Sequence, residues 1–208
     1  MLISHKYRFI FMKTCKTGGT SLEVDFNKVM DDNDVVTTVQ PLEEGHRPRN
    51  MIQPNGRVLH QHSDVDFVRS FVGPSVWDTY FKFCFEREPV DKCLSDYYHL
   101  TQDIRHRNMW KMSWSEYVFD TQPLLPIDTA KYTDKSGRCV VDRICKYENF
   151  DQEVKEVAKI VGLPIDRVTA RSKSGFRRHD IIPSREEKEH IYKMFASSLV
   201  HTGYTLKT

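Results

Sequence analysis

The sequence predicts a single α/β domain over residues 1–208, with a central parallel sheet flanked by helices. Three observations support this fold class. Short β-rich runs alternate with helical patterns, the first run leads through a glycine loop into a helix, and no repeat, low-complexity tract or linker divides the chain. A chain of 208 residues is also long enough to bury a sizeable core as one domain.

Composition excludes several other classes of protein. The 31 Lys and Arg residues against 29 Asp and Glu residues leave a formal charge of +2, which argues against a nucleic-acid coat. The longest apolar stretch near the start, residues 9–12, is far shorter than the ~20 residues of a membrane span or the ~7–15 of a signal-peptide core. The cysteines are odd in number and lack C-x-x-C spacing, so neither a disulfide framework nor a zinc ribbon is predicted. We therefore expect a soluble, cytoplasmic chain.

The first predicted unit is a strand, a glycine loop and a helix. Residues 7–12 are rich in β-formers and lead into the loop, after which Leu22, Phe26 and Val29 recur at helical spacing. Residues 31–61 contain several prolines and glycines, which predicts loop with one short strand.

A second helix and a second strand are predicted next. Ser63 is expected to cap a helix whose apolar residues include Val65, Val68 and Val72. The β-rich run at residues 77–85 then predicts a strand.

The remaining elements follow from proline, glycine and capping signals. Pro89 suits the first position of a helix that extends to about Leu100. Residues 139–141 predict a strand, and a helix near residues 151–161 should end at Gly162. A capping box of Ser184 and Glu187 should open the last helix.

The glycine loop is the first candidate site. A loop between a strand and a helix N-terminus presents backbone N–H groups and a positive dipole end, which together bind phosphate or sulfate. The nucleotide P-loop sequence GxxxxGK[ST] is absent, and a solvated turn capped by Thr or Ser explains the string equally well. The loop residues are Lys16, Thr17, Gly18, Gly19, Thr20 and Ser21.

Arg87 and Ser95 form the second candidate site. Arg87 follows a predicted strand and Ser95 lies on the helix after it, at the sheet edge where open α/β folds bind ligands. Arg87 could therefore hold a second anionic group bidentately. The alternative is a surface arginine paired with a neighbouring carboxylate, namely Glu86, Glu88 or Asp91.

Together the two motifs resemble the sulfotransferases. The string KTGGTS at residues 16–21 is similar to the family's 5′-phosphosulfate loop, PKTxGTS, and Arg87 with Ser95 is similar to its 3′-phosphate motif, R-x-P-x₅-S. The resemblance covers about residues 9–204 and points to the Golgi glycan branch that includes heparan sulfate 2-O-sulfotransferase. The segments that extend it are residues 77–83, 141–143, 147–150 and 203–204. Cys15 replaces the usual loop proline and a membrane anchor is lacking, which points to a bacterial-type or viral soluble relative.

The resemblance implies a P-loop-NTPase-like fold and the donor 3′-phosphoadenosine 5′-phosphosulfate (PAPS), with 3′-phosphoadenosine 5′-phosphate (PAP) as product. Its sulfuryl group would pass in line to an acceptor hydroxyl. Positioning and charge stabilisation supply most of the catalysis in the parallel chemistry of phosphoryl transfer. Lys16 would stabilise the leaving bridging oxygen, residues 17–21 the 5′-phosphate, and Arg87 with Ser95 the 3′-phosphate. The assignment requires no metal.

The acceptor hydroxyl must lose a proton, and the resemblance implies a base in His60-Gln61-His62. The 2-O-sulfotransferase-like branch carries an HxH element at a comparable place, in which the second histidine is the base. We expect His62 to be the base and His60 to orient it or contact substrate, since imidazole with a pKa of ~6.5 accepts a proton at cellular pH. The alternative is that His60 and His62 are ordinary loop histidines without a catalytic role. Glu23 is the reserve base, unless it is a solvated helix residue or an ion-pair partner.

Two further segments bear on the acceptor and on rival functions. Aromatic and basic residues between Arg105 and Trp114 could grip a sugar, although an amphipathic helix explains them as well. The basic residues 171–179 could close over the cofactor, or could form a nucleic-acid or membrane-surface patch. We expect a carbohydrate acceptor and no nucleic-acid partner. A small-molecule kinase with an atypical phosphate loop and a non-catalytic nucleotide-binding module remain rival functions.

Overall fold

Strands and helices alternate along the first half of the chain in the computed structural model, which describes residues 1–103, 105–107, 109–120, 124–170, 172, 178 and 180–206. The elements in chain order are β1 (Leu2–Ser4), β2 (Phe9–Phe11), α1 (Gly19–Asn27), β3 (Val35–Val36), α2 (Val65–Val72), α3 (Pro74–Thr79), β4 (Phe81–Glu86), α4 (Pro89–Gln102), α5 (Trp114–Phe119), β5 (Arg143–Lys146), α6 (Phe150–Val161), α7 (Arg185–Met194) and α8 (Ala196–Thr202). Short 3₁₀ turns lie at Thr129–Lys131 and Tyr147–Asn149.

Contacts group the chain into two compact units. The first comprises Met1–Glu86 and Asp128–Ser172, and the second comprises Arg87–Ile127 and Lys173–Thr208. The first contains the whole five-stranded sheet, and the second is helical in its described residues. The α/β class is therefore confirmed, whereas one domain over residues 1–208 stays a prediction.

The sheet of the first unit is mixed, so the prediction of a parallel sheet was wrong in part. Its strand order is β3-β1-β2-β4-β5, in which β2 pairs in parallel with β4, and β4 with β5. Strand β1 runs antiparallel to both of its neighbours.

The hairpin between β1 and β2 lacks the Asn-Gly or Asp-Gly turn that marks such hairpins in a sequence. Instead, Asp34 holds it from a distance by accepting hydrogen bonds from the Ser4 hydroxyl at 3.0 Å and the His5 N–H at 2.6 Å. The turn also uses Arg8 at a φ of +53°. A turn stabilised by a distant carboxylate gives no local signal, which explains why β1 was missed.

Alternating side chains place two apolar clusters on opposite faces of the sheet. On one face, Phe9, Phe11 and Phe83 pack against α1 and α6. On the other, Ile10 and Cys84 pack against α2 and Trp77. Helices therefore flank the sheet on both faces, as the alternation of strands and helices predicted.

Several local signals were confirmed. Helix α4 begins at Pro89, and α6 ends before Gly162, which has a φ of +72°. The Ser184–Glu187 capping box is formed at the start of α7, although the last helical stretch divides into α7 and α8.

Three element assignments were wrong. Residues 139–141 precede the strand, which is Arg143–Lys146, because Val140 and Val141 pack beside the core before the chain enters the sheet. Trp77 belongs to α3, since Gly73-Pro74 starts a short helix there. The N-cap of α2 is Asp64 rather than Ser63, whose hydroxyl accepts the His60 N–H at 3.0 Å.

The second unit consists of α4, α5, α7 and α8 around an apolar cluster that includes Tyr98, Tyr117 and Phe195. Within the described ranges, none of the helices is both long enough and apolar enough to cross a membrane. The predicted cytoplasmic location stays a prediction.

Candidate functional site

The glycine loop connects β2 to α1 in the first unit, as the sequence predicted. Its backbone adopts left-handed conformations at Lys16, with φ +59°, and at Gly18, with φ +73°. Such a conformation is uncommon for a side chain like lysine, so the loop is held in a defined bend. Gly18 is the N-cap of α1 and has no side chain to cap the first-turn N–H groups, which leaves that role open to an anion.

Both loop glycines are required by close packing. A Cβ atom on Gly18 would lie 3.1 Å from Phe150 and 3.3 Å from Tyr147, and one on Gly19 would lie 2.9 Å from the Lys13 side chain. Gly18 also has the left-handed φ that only glycine adopts without strain. Gly18 therefore brings the loop backbone tightly against the start of α6, and Gly19 brings it against the Lys13 side chain.

The threonines of the loop are turned inward. Thr17 is fully buried, and its hydroxyl lies 2.9 Å from that of Thr14, which in turn donates to the Phe85 carbonyl. Thr20 is also buried, at 8% exposure. Lys16 and Ser21 are half-buried. A ligand of this loop would therefore meet the Lys16 side chain and backbone N–H groups rather than the Thr17 hydroxyl.

A buried ion pair lies directly behind the loop. Lys13, 3% exposed, donates to the fully buried carboxylate of Glu23 and to the Gln61 side chain at 3.0 Å. The Met1 α-amino group contacts the same carboxylate. Glu23 is thus an ion-pair partner rather than a solvated residue. It was the reserve base, but a fully buried carboxylate held by cations is a poor acceptor of a substrate proton.

Asp128 fixes the middle of the loop. This carboxylate, 1% exposed, accepts the Cys15 backbone N–H at 2.6 Å and the Lys131 ammonium at 2.7 Å. Charge-assisted bonds of this kind are strong and directional. Sequence reasoning missed Asp128 and Lys13, because no local motif marks either residue.

His62 is attached to the same loop. Its Nδ1 lies 3.0 Å from the Lys13 carbonyl oxygen and 3.9 Å from the Cys15 sulfur. Because a carbonyl can only accept, the neutral ring carries its proton on Nδ1 and leaves Nε2 with a lone pair. Burial lowers the pKa of His62 to about 4, so the ring is neutral at physiological pH.

The first histidine of the HxH element, His60, has different surroundings. His60 is exposed, and its backbone participates in the turn that Ser63 closes. Gln61, between the two histidines, binds Lys13. The structure thus links His62 and Gln61 directly to the loop through Lys13.

The segment that precedes the basic residues 171–179 is anchored to α1. Asp25 accepts hydrogen bonds from the Ala170 N–H at 2.9 Å and the Thr169 hydroxyl at 3.1 Å. The Ser21 hydroxyl accepts the Ser172 N–H at 3.1 Å. Within residues 171–179 only Ser172 and Arg178 are described, so the predicted closing loop lies mostly outside the described residues.

Arg87 and Ser95 belong to the second unit. Arg87 follows β4 directly in the chain, is 8% exposed, and donates from Nε to Asp91 at 2.5 Å. Ser95 is half-buried on α4. The local partner expected for an isolated arginine is therefore present, although the arginine is buried rather than on the surface.

The aromatic and basic segment contributes less surface than the sequence suggested. Trp114 is 7% exposed and stacks on Tyr117 in the apolar cluster, so its ring is removed from any sugar-binding surface. Arg107 and Lys111 are exposed, and Trp110 is half-buried. The described part of this segment forms turns before α5 begins at Trp114 rather than one amphipathic helix.

One buried histidine has no role in the predicted site. His46 is 4% exposed, and neither ring nitrogen has a hydrogen-bond partner among the described residues. Burial lowers the pKa of His46 to about 4, and the nearby cations Lys13 and Arg49 act in the same direction.

Comparison with known proteins gives one relative. An uncharacterized protein of Archaeoglobus fulgidus is 29% identical over 116 residues, which cover 53% of this chain and 94% of the relative. No protein family and no solved structure matches the chain. The relative's description names no activity, so none is carried over to this chain.

Proposed function

We propose that the chain is a sulfotransferase that moves the sulfuryl group of PAPS to an acceptor hydroxyl, with a carbohydrate as the expected acceptor. One observation carries the proposal: His62 is bound through Nδ1 to the Lys13 carbonyl, three residues before Lys16 in the anion-binding loop. A neutral base is therefore hydrogen-bonded to the chain segment that leads into the cation Lys16. The sequence resemblance supports the choice of sulfuryl transfer.

The loop would bind the 5′-phosphosulfate through its backbone. The N–H groups at the start of α1 and the helix dipole favour a phosphate or sulfate group. Lys16 would neutralise the negative charge that develops on the bridging oxygen as the sulfur–oxygen bond breaks. Because Lys13 and Asp128 hold the loop from behind, little reorganisation would be needed at that moment.

His62 would accept the acceptor's proton at Nε2. The acceptor oxygen forms its new bond to sulfur while that proton moves to the imidazole and PAP leaves with the bridging oxygen. A pKa of about 4 makes free His62 a weak base. The negative charge of a bound donor would raise this pKa toward neutrality, where general-base catalysis is more efficient.

Arg87 and Ser95 would bind the 3′-phosphate of the donor. This role rests on the R-x-P-x₅-S resemblance and on the buried position of Arg87 within its own unit. A buried guanidinium keeps a fixed orientation, which suits bidentate binding of a phosphate. Asp91 would then orient Arg87 through Nε.

The proposal is tested by ligand stabilisation and by turnover together. PAP should raise the melting temperature of the purified chain more than ATP does, because stabilisation follows affinity. Labelled PAPS should transfer its sulfuryl group to a glycan in a panel that also contains phenols, sterols and tyrosine peptides. Lys16→Ala should depress turnover strongly while PAP affinity changes only a few-fold, since Lys16 acts mainly in the transition state.

Lys159→Ala, on an exposed position of α6, is the matched control and should leave turnover unchanged. Transfer should also continue in EDTA. Activity that EDTA abolishes and Mg²⁺ restores, with ATP as donor, would replace the proposal with a kinase. PAP binding without transfer to any acceptor would leave a nucleotide-binding module.

A further inference from the structure

Two imidazoles and a carboxylate converge at the C-terminal end of α4 in the second unit. His99 lies in the last turn of α4, Asp103 is the C-cap, and His106 lies in the turn that follows. The Asp103 N–H donates to the His99 carbonyl at 3.2 Å, and the His106 N–H donates to the Asp103 carbonyl at 2.9 Å. These backbone bonds fold the chain so that all three side chains meet.

The spacing of the donor atoms suits a metal ion. One ligand atom from each residue lies within 4.8 Å of the other two. Nδ1 of His99 and Oδ2 of Asp103 are 3.6 Å apart. Two ligands at the ~2.0–2.2 Å bond lengths of tetrahedral zinc are separated by about 3.4 Å, so this pair is already close to the required geometry.

The site is partly enclosed and oriented. Asp103 is 2% exposed and His99 is 17% exposed. Asp103 also accepts the Arg105 backbone N–H at 2.9 Å, a contact of the kind that orients a ligating carboxylate, whereas the Arg105 guanidinium binds both carboxylate oxygens, Oδ2 included. The guanidinium opposes a cation and would have to leave Oδ2 when an ion binds; its side chain is 35% exposed.

We propose that His99, Asp103 and His106 bind a zinc ion, with a water or another small ligand at the fourth position. Imidazole nitrogen and carboxylate oxygen are both zinc ligands, and three protein ligands leave one position open. This site lies outside the loop of the proposed sulfuryl transfer and does not depend on it. Its pattern, H-x₃-D-x₂-H, contains no cysteine and differs from the C-x-x-C spacing of zinc ribbons.

The test measures metal binding directly on the full chain. Protein stripped with EDTA and dialysed is titrated with Zn²⁺ against a chromogenic chelator, and separately with Co²⁺, followed by visible absorption. We expect one Zn²⁺ per chain and the intense visible bands of four-coordinate Co²⁺. His99→Ala and His106→Ala should each weaken zinc binding at least about a hundredfold, because loss of an outer-shell partner alone costs 10–100-fold.

His190→Ala is the matched control and should keep full zinc binding, because this histidine packs on Phe119 and is not one of the three residues whose ligand atoms converge. Arg105→Gln should bind zinc more tightly than the wild type, since it removes the opposing charge. If His99→Ala does not fold, as judged by circular dichroism, His106→Gln decides the proposal by itself. Wild-type binding well below one equivalent, or binding that survives the substitution of His106, overturns it.

Discussion

The glycine loop and the histidine cluster at the end of α4 differ in how far along the chain their partners come from. Cys15 and Asp128 are separated by 113 positions, and His62 by 49 from the Lys13 carbonyl that it binds. His99, Asp103 and His106 instead lie in one short stretch joined by backbone hydrogen bonds. The loop therefore requires a folded first unit, whereas one short segment at the end of α4 brings the three members of the cluster together.

The difference has consequences for how each site responds to substitution. Buried side chains behind the loop couple its geometry to the stability of the first unit. The histidine cluster should tolerate changes elsewhere and respond mainly to its own residues. The following substitutions probe this contrast.

The largest effect is expected at His62. His62→Asn retains an N–H donor for the Lys13 carbonyl but has no base, so turnover should fall by ~10²–10⁴-fold while the free energy of unfolding and PAP affinity stay close to wild type. Kinetics with labelled PAPS and urea unfolding measure the two quantities. His60→Ala should lose less activity. The reverse ranking would exchange the two roles, and near-full activity in both variants would place the base elsewhere.

The buried ion pair should matter more than the exposed one on the same helix. Lys13→Met leaves the Glu23 carboxylate buried without its main cation and should lower the free energy of unfolding by about 3–5 kcal/mol. Lys28→Ala, at a lysine 54% exposed and paired with Asp25, should cost about 0–1 kcal/mol. Urea unfolding compares them. Equal losses of unfolding free energy in the two variants would contradict the view that the Lys13–Glu23 pair supports the first unit. The double variant Lys13→Met/Glu23→Leu should recover part of the stability that Lys13→Met loses.

His46 should make stability depend on pH. Its pKa is about 4 in the folded state, below the ~6.5 of an unfolded histidine, so below pH 6.5 the unfolded chain binds a proton that the folded chain does not. Stability from this residue is constant above neutral pH and should fall by about 3 kcal/mol as the pH drops from 6.5 to 4. His46→Leu should reduce that slope in urea unfolding at pH 7 and pH 5. If His46→Leu leaves the pH dependence of the unfolding free energy unchanged, other groups cause the acid sensitivity, and His62 is the next one to test.

The smallest effect is expected at Arg87, whose described ion-pair partner Asp91 is local. Loss of a charge-assisted contact costs about 1.5–3 kcal/mol, so Arg87→Ala should weaken PAP binding by roughly ten- to hundredfold. Calorimetry with PAP and with adenosine 5′-monophosphate separates the 3′-phosphate from the rest of the ligand. An equal loss of affinity for both nucleotides would show that Arg87 does not bind the 3′-phosphate.

Local signals in the sequence determined much of the secondary structure. The glycine loop between β2 and α1, the start of α4 at Pro89, the end of α6 at Gly162 and the capping box of α7 each depend on backbone preferences within a few residues. The same locality explains why residues 16–21 could be placed between a strand and a helix before any contact was known.

Only the tertiary structure decided which side chains that loop presents and what holds it. Thr17 points inward to Thr14, Glu23 is buried against Lys13, and Trp114 belongs to an apolar cluster rather than to a surface. The antiparallel position of β1 depends in the same way on Asp34. Burial and ion pairing depend on partners that are distant in sequence. The sequence pattern indicates whether a residue is apolar or charged, but it does not indicate which distant residue that side chain contacts.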